Sequence, residues 1–301
     1  MTVNASASAK TILFGEHAVV YGEPAIAIPL SNTRTTASLR ENGTGFRVIS
    51  PKIHLNRLFS GLIEGSGLQQ LLLRLMEEFD LSELPKDTLT IRSDIPIASG
   101  LGSGAALSVA VIRAFAKRFH RELPTETVNQ IAYEIERIYH GTPSGIDNTV
   151  IAYEKPISFT KGVGFTPLQA DLTSLSILVA DSGIRSRTVD VVSDVRTHFD
   201  RSEAYIHEIG ALVRSAEMAL QNGDPAEIGK LMNENQRLLQ AIDVSCPELD
   251  SLIETALSNG ALGAKLTGAG RGGNFIVLAQ DPDHAAKLKS LYESQGIQVI
   301  L

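Results

Sequence analysis

The sequence predicts a protein of two domains that both mix helices with strands. The chain has 301 residues, of which 43% are hydrophobic and 20% charged, so it is long enough to bury two separate cores. Short strand-like runs alternate with amphipathic helices in the first half, whereas a strand and several consecutive helices follow from about residue 172. Glycine and proline interrupt the periodicity between residues 161 and 172. We therefore predict domains over residues 1–165 and 166–301.

The elements of the first domain follow from the spacing of its apolar residues. Leucines recur at helical spacing over residues 67–79, and valine and isoleucine repeat that pattern over residues 125–139. A third, apolar helix is predicted over residues 105–119. Each of the two amphipathic helices needs a sheet against which its apolar face can pack. The strand-like runs are residues 10–14, 25–30, 33–39, 88–92 and 149–153.

The second domain is predicted to be richer in helices. Its helices are expected over residues 187–197, 203–221, 225–242, 247–259 and 284–295. Its strands are expected over residues 176–180, 263–267, 274–278 and 298–301.

Composition and charge exclude several classes of partner. The formal net charge is -7, so the chain lacks the excess of lysine and arginine on which nucleic-acid affinity rests. Its one cysteine, Cys246, cannot form an internal disulfide, and the N-terminal residues show no secretory signal pattern. No apolar run approaches the roughly 18 residues that a membrane-spanning helix needs. We expect a cytoplasmic protein with neither nucleic acid nor membrane as a partner.

A glycine-rich segment at residues 96–106 is the strongest local signal. It reads P-I-A-S-G-L-G-S-G-A-A, follows a strand-like run and opens the apolar helix. Small residues at a helix start leave backbone N–H groups free to bind an anion such as phosphate. The spacing is neither that of a Walker A loop nor that of a dinucleotide-binding motif, and a plain strand-to-helix turn is the alternative. The predicted phosphate-binding residues are Ser99, Gly100, Leu101, Gly102, Ser103, Gly104 and Ala105.

Three further segments accompany this loop along the chain. They read A-S-A-K-T-I-L-F-G-E-H-A-V-V-Y-G at residues 7–22, H-G-T-P-S-G-I-D-N at 140–148 and G-A-K-L-T-G-A-G-R-G-G at 263–273. In order and spacing, the four segments resemble the motifs of the GHMP kinases, and among these they are closest to the mevalonate kinases. The resemblance implies an α+β, two-domain GHMP-kinase fold, with a ribosomal-S5-like N-terminal domain and a ferredoxin-like C-terminal domain.

The resemblance also implies an activity. The expected reaction is ATP-dependent phosphorylation of the 5-hydroxyl of (R)-mevalonate in isoprenoid precursor biosynthesis, with Mg²⁺ as the cofactor and ATP and mevalonate as substrates; a homodimer is compatible with it. A galactokinase-like sugar kinase is the alternative. A non-catalytic nucleotide-binding paralogue is a third hypothesis, because Gly104 and Arg271 depart from the family pattern. The residues alone indicate phosphoryl transfer and leave the acceptor open.

A lysine and an aspartate are the candidate catalytic residues. Asp147 resembles the family's catalytic aspartate, although aspartate is also common as a cap in turns. Lys10 precedes a strand-like run and resembles the lysine that pairs with this aspartate. A cation near the accepting alcohol favours the alkoxide. A solvated lysine at a strand end is the alternative.

The metal site is expected at Glu136, which lies beside the apolar stripe of its helix and matches the magnesium ligand of mevalonate kinases. One or two carboxylate oxygens suffice for Mg²⁺. A surface glutamate paired with Arg137 is the alternative, and Glu134 is a weaker candidate ligand. Mevalonate kinases commonly carry a serine where this chain has Gly104, so Ser103, or water, would have to supply the missing ligand.

The resemblance assigns three residues to the acceptor substrate. Glu16 and His17 match the pair that holds the substrate, and Thr267 matches the threonine near the acceptor and the phosphoryl group. His17 could instead be a packed or capping histidine, and the Thr267 hydroxyl could cap the glycine turn. Arg271 stands in a loop that is usually all glycine and alanine, where it would contact a phosphate or face solvent.

Overall fold

The computed structural model divides the chain into two compact units. The first comprises Met1–Lys10 and Pro29–Glu154, and the second comprises Thr11–Ile28 and Lys155–Leu301. The domain boundary after residue 165 stays a prediction, because these units describe compactness and not the domains of a protein family. The structure describes residues 2–96, 100–141 and 143–300.

Helices and strands occur in both units, as the predicted α+β class requires. The strands are β1 (Thr2–Phe14), β2 (Pro24–Glu41), β3 (Arg47–Ser50), β4 (Leu55–Leu58), β5 (Asp87–Ser93), β6 (Ile157–Thr160), β7 (Gly164–Pro167), β8 (Ser176–Asp181), β9 (Gly263–Thr267), β10 (Asn274–Ala279) and β11 (Gln298–Val299). The helices are α1 (Gly67–Glu78), α2 (Ser103–Arg118), α3 (Thr125–His140), α4 (Ile146–Tyr153), α5 (Thr188–Thr197), α6 (Phe199–Asn222), α7 (Pro225–Ala241), α8 (Pro247–Ser258) and α9 (Pro282–Ser294). In the described parts of the chain, none of these helices is long and apolar enough to span a bilayer.

The first unit packs four helices with a sheet. Its strands run in the order β4-β3-β5-β2, with β3 and β5 parallel and the other neighbours antiparallel. Helix α3 packs against α1, α2 and α4. Leu71, Leu72 and Leu75 of α1 are buried as their spacing predicts. Phe115 of α2 lies within ring-contact distance of Phe46, Phe79 and Phe119. This core fixes the ends of α2, α3 and α4 on which the candidate site is built.

The second unit contains a separate antiparallel sheet in the order β11-β8-β10-β9. The central strand β10 is buried at every position, because neighbouring strands and helices cover it. Helix α7 packs along the edge strand β9 and against α6. Residues 24–27 of β2 pair with β6, and β6 pairs with β7. Strand β9 lies between its sheet partner β10 and helix α7.

The predicted strand at residues 149–153 is wrong, because this segment forms most of α4. Its β-branched residues suggested a strand, but Thr149 donates its hydroxyl hydrogen bond to the Gly145 carbonyl (2.7 Å), an interaction that suits a helix start. Gly145 takes a left-handed conformation (φ 91°) that begins the helix. The two strands expected at 25–30 and 33–39 form the single strand β2, and β3, β4, β6 and β7 were not predicted.

Candidate active site

The two candidate catalytic residues form an ion pair in the first unit. Lys10 lies on β1 and is buried, and its Nζ is 2.8 Å from Oδ1 of Asp147. Asp147 lies in the first turn of α4, where the helix dipole favours a negative charge. Its side chain remains one-third exposed. The structure therefore brings together the two residues that the sequence indicates, and the carboxylate of Asp147 keeps an exposed side.

The glycine-rich loop contacts the lysine directly. The Lys10 N–H donates to the Leu101 carbonyl (3.1 Å). A Cβ atom on Gly102 would lie 3.1 Å from Cγ of Lys10, and Gly102 has a positive φ of 73°. Both the space and the backbone conformation require glycine there. Ser99, predicted to bind phosphate, lies outside the residues that the structure describes.

Helix α2 begins at the end of this loop. Ser103, Gly104 and Ala105 form its first turn, and Gly102 is the N-cap with no side-chain cap. The first N–H groups of a helix have no partner within it, so they and the helix dipole favour an anion. The predicted phosphate-binding residues from Gly100 to Ala105 thus lie at a helix start that suits phosphate.

Glu136 of α3 lies against the same helix start. It is 3% exposed, and its Oε1 lies 2.7 Å from where a Cβ on Gly104 would be. Burial first, and then the Asp147 charge, raise the pKa of Glu136 to about 7, while Lys10 opposes this shift. The alternative of a surface glutamate is wrong. Glu134, the weaker candidate, instead pairs with Arg74 at 3.2 Å.

Two asparagines that the sequence did not indicate join the helices of this cluster. Nδ2 of Asn148, the residue after Asp147, donates to Oδ1 of Asn129 on α3 (2.6 Å), and both side chains are buried. The contact fastens the start of α4 to the helix that carries Glu136. Because the two residues are 19 positions apart, only the fold reveals the pair.

A second cluster lies in the second unit and contains Glu16. Its carboxylate pairs with Lys265 of β9, and both side chains are fully buried. Lys265 also donates to the Leu266 carbonyl at 2.7 Å. Burial lowers the pKa of Lys265, and the Glu16 charge opposes that shift. Lys265 was not predicted; the one available signal was a lysine within an otherwise strand-like apolar run.

His17 follows Glu16 and is buried as well. Its Nε2 lies 2.8 Å from the Ala269 carbonyl oxygen. Burial lowers the pKa of His17 to about 4, so the ring is neutral at pH 7. A carbonyl oxygen can only accept, so Nε2 carries the hydrogen and Nδ1 is the acceptor of the ring.

The lowered pKa of His17 predicts a loss of stability in acid. The unfolded chain binds a proton near pH 6.5, whereas the folded chain binds it only near pH 4. The contribution of His17 to the free energy of unfolding is therefore fully present above pH 6.5. It falls by about 3 kcal/mol as the pH decreases to 4. We expect His17→Asn to show a shallower fall than the parent in urea unfolding between pH 7 and pH 4. Equal slopes for both proteins would contradict this prediction.

Thr267 and Arg271 are both engaged within the second unit. The Thr267 hydroxyl donates to the Ile12 carbonyl (2.9 Å) and is 2.9 Å from the Thr11 hydroxyl, which must then be the donor. Arg271 pairs with Asp194 and with Asp243 (3.2 Å). In the structure its guanidinium therefore contacts carboxylates, an option the sequence did not suggest.

Comparison with known proteins identifies the family of the chain. The family model for the GHMP kinases N terminal domain matches residues 67–155, and that for GHMP kinases C terminal matches residues 216–297. The mevalonate kinase of Aeropyrum pernix is 33% identical, over 97% of this chain and 93% of its own. The mevalonate kinase of Thermococcus sibiricus is 36% identical, over 93% and 90%.

Solved structures extend the comparison to the fold. A crystal structure of L. major mevalonate kinase in complex with R-mevalonate matches with a TM-score of 0.84 and 31% identity, over 99% of this chain and 95% of that one. The Methanococcus jannaschii mevalonate kinase, at 23% identity, shares the fold with a TM-score of 0.88, over 99% and 96%. The predicted GHMP-kinase fold is thus confirmed. The chain belongs to the GHMP kinases, and within them to the mevalonate kinase family.

Proposed function

We propose that this protein transfers the γ-phosphoryl group of ATP to the 5-hydroxyl of (R)-mevalonate, giving 5-phosphomevalonate and ADP for isoprenoid precursor biosynthesis. The observation that carries the proposal is the ion pair of Lys10 and Asp147 at 2.8 Å beside the start of α2. Relatives named mevalonate kinase, at 33% and 36% identity over nearly the whole chain, support the choice of acceptor.

Asp147 and Lys10 activate the acceptor in this proposal. The 5-hydroxyl gives its proton to the Asp147 carboxylate while its oxygen forms a bond to the γ-phosphorus, and the bond from that phosphorus to the ADP oxygen breaks. Lys10 stabilises the developing alkoxide and offsets phosphate charge. The N–H groups at the start of α2 and the loop from Gly100 to Gly102 hold the phosphates. Ser99 completes the proposed phosphate-binding group.

The donor chemistry of the first cluster fits the divalent metal that such kinases generally need. Glu136 offers a buried carboxylate oxygen next to the phosphate loop, and Ser103 offers a hydroxyl in the first turn of α2. Mg²⁺ keeps several waters and takes phosphate oxygens, so one carboxylate and one hydroxyl from the protein suffice. We propose that these two residues hold Mg²⁺, which when bound neutralises charge on the phosphates.

Replacing Glu136 with glutamine should raise the magnesium concentration needed for half-maximal rate. The change removes the charge and keeps the shape of the side chain, so the metal loses its protein carboxylate. A magnesium titration of the steady-state rate, with folding checked by thermal melting, measures the effect. Glu134→Gln is the matched control on the same helix, because Glu134 pairs with Arg74 instead. An unchanged titration with a lowered melting temperature would favour a structural role for Glu136.

Glu16, His17 and Thr267 are the proposed substrate-binding residues. The neutral ring of His17 offers Nδ1 as an acceptor, which suits a hydroxyl group better than a carboxylate. Thr267 keeps a lone pair after donating to Ile12. The charge of Glu16 is balanced by Lys265, so we assign Glu16 the task of fixing this group in place.

An ADP-release assay over several acceptors tests the proposed function. The panel is mevalonate, phosphomevalonate, homoserine, galactose and a glycerol-like alcohol, each with ATP and Mg²⁺. We expect turnover with mevalonate alone. Turnover with galactose alone would instead identify a sugar kinase, and ATP binding without turnover on any acceptor would identify a non-catalytic paralogue.

A further inference from the structure

Helix α4, which carries Asp147, is joined to α3 by a buried pair of asparagines. Nδ2 of Asn148 donates to Oδ1 of Asn129 (2.6 Å), and the two residues are 3% and 9% exposed. All three residues belong to the first unit. Because Asn148 follows Asp147 directly, this hydrogen bond fixes the first turn of α4 against α3.

A pair of asparagines is a poor way to gain stability at this place. Oδ1 of Asn148 is buried and makes no hydrogen bond within the described part of the chain. A buried polar atom without a partner costs free energy, whereas replacing both members of a pair by apolar groups of the same shape can be neutral or stabilising. A hydrogen bond does require a direction, which an apolar contact lacks. The pair therefore contributes orientation more than stability.

Asn129 shares its face of α3 with Glu136, the proposed metal ligand. The two residues are seven positions apart on one helix, which is two turns and about 10 Å along the axis. Helix α4 therefore meets this face of α3 at two points. At one point Asn148 binds Asn129, and at the other Asp147 lies close enough to Glu136 for their charges to interact.

The two carboxylates at the second point repel each other. Glu136 is 3% exposed, so water screens this repulsion weakly. Lys10 attracts both carboxylates and offsets part of the repulsion. The remaining force pushes the start of α4 away from α3. The hydrogen bond between the asparagines acts against this displacement.

We propose that Asn129 and Asn148 are positioning residues, whose hydrogen bond holds the Asp147 carboxylate in its place beside Lys10 and Glu136. The kinetic consequence rests on the proposed function, in which Asp147 takes the proton of the acceptor. A displacement of about 1 Å can lower a rate by up to about 100-fold, so loss of the pair should lower kcat. KM for ATP should not change, because the start of α2 holds the phosphates.

The first experiment separates position from stability with leucine, which has the shape of asparagine without its polar atoms. Asn129→Leu leaves the Asn148 amide without its acceptor and should lower the urea midpoint of unfolding. Asn129→Leu/Asn148→Leu removes both polar groups and should restore the midpoint to the parent value or above it. We expect kcat of this double variant to stay about tenfold below that of the parent, with KM for ATP unchanged.

The matched control is Asn42→Leu in the same unit. Nδ2 of Asn42 donates to the Gly45 carbonyl (2.8 Å) and to Oγ1 of Thr88 (2.9 Å), in the turn that follows β2. The control should lower the urea midpoint and keep the parent kcat. An equal loss of kcat in Asn42→Leu and Asn129→Leu would mean that kcat follows stability, and the proposal would be wrong.

The second experiment observes Lys10 in the free protein and needs no turnover. Nitrogen-15 NMR of lysine-labelled protein detects ammonium groups whose hydrogens exchange slowly with water, and Lys10→Met assigns the signal. We expect the parent and Asn42→Leu to show the same Lys10 signal, because this lysine is buried with its Nζ against Asp147. In the double leucine variant the signal should shift or disappear.

The outcomes separate this proposal from the proposed function. A folded double variant with the parent kcat, or with an unchanged Lys10 signal, would overturn the role of the asparagines. Failure of the double variant to fold would overturn it too, because the pair would then serve the fold. A parent without a Lys10 signal would contradict the arrangement that the pair is proposed to hold. If the parent does not phosphorylate mevalonate, the proposed function fails by itself, and the Lys10 signal alone decides whether the asparagines position Asp147.

Discussion

Replacing Asp147 with asparagine should lower kcat by about 10²–10⁴, the usual effect of losing a general base. Asparagine keeps the size of the side chain and removes the charge that pairs with Lys10 at 2.8 Å. The effect on KM for ATP and for mevalonate should be smaller than the effect on kcat. Steady-state kinetics with saturating ATP and mevalonate measures the change.

The matched control for this variant is Asp80→Asn. Asp80 belongs to the same unit, is almost fully exposed and lies 3.9 Å from Arg121 in a long ion pair. We expect Asp80→Asn to retain the parent kcat. A loss of kcat in Asp147→Asn then reflects the position of Asp147 in the site and not the change from aspartate to asparagine as such. Near-normal turnover by a well-folded Asp147→Asn would remove this residue from the mechanism.

Replacing Lys265 with methionine should lower the free energy of unfolding by about 3–5 kcal/mol, because it removes the cation that pairs with the buried Glu16 carboxylate. Methionine matches the length of the lysine stem, so packing changes little. Urea unfolding at pH 7 measures the loss.

A second substitution distinguishes a buried charge from lost packing. Glu16→Gln in the Lys265→Met background removes the buried negative charge and should recover much of the stability, since neutral replacements of buried ion pairs are often tolerated. Lys230→Met, at an exposed lysine of the same unit, controls for loss of a lysine. If the effects of Glu16→Gln and Lys265→Met simply add, the two residues do not form an energetically coupled pair.

Much of the secondary structure could be predicted, because it depends on local patterns. The leucine spacing of α1 gave bounds within one residue of those observed, and β9 was predicted at its observed residues. By contrast, the β-branched run of α4 suggested a strand, since period and composition do not reveal that Asn148 anchors this segment to α3. Short strands such as β3 and β7 carry too few residues to show a period.

The residues of the candidate site likewise fall into those that local motifs predict and those that only the fold reveals. The motifs indicated Lys10, Asp147 and Glu136, and the structure brings these three together. Lys265 was missed because its partner Glu16 is 249 positions away, and no local pattern marks such a pair.

The two departures from the family pattern, Gly104 and Arg271, each have a local structural reason. At Gly104, a side chain would press on the Glu136 carboxylate, so glycine leaves that carboxylate its place. Arg271 is occupied by Asp194 and Asp243, and so adds no free positive charge to the glycine turn.

The hydrogen bonds that β9 makes to Asn233 and Gln236 of α7 have a consequence for how the protein resists self-association. An exposed edge strand offers its N–H groups to any other chain that can extend the sheet. Here the side chains of α7 accept the outward hydrogen bonds of Ala264 and Leu266, so the edge is already satisfied without another strand. Protection of this edge therefore depends on a helix rather than on the sheet. We therefore expect a partly unfolded form that releases α7 to expose this edge for pairing, and substitutions that stabilise α7 to preserve solubility on heating.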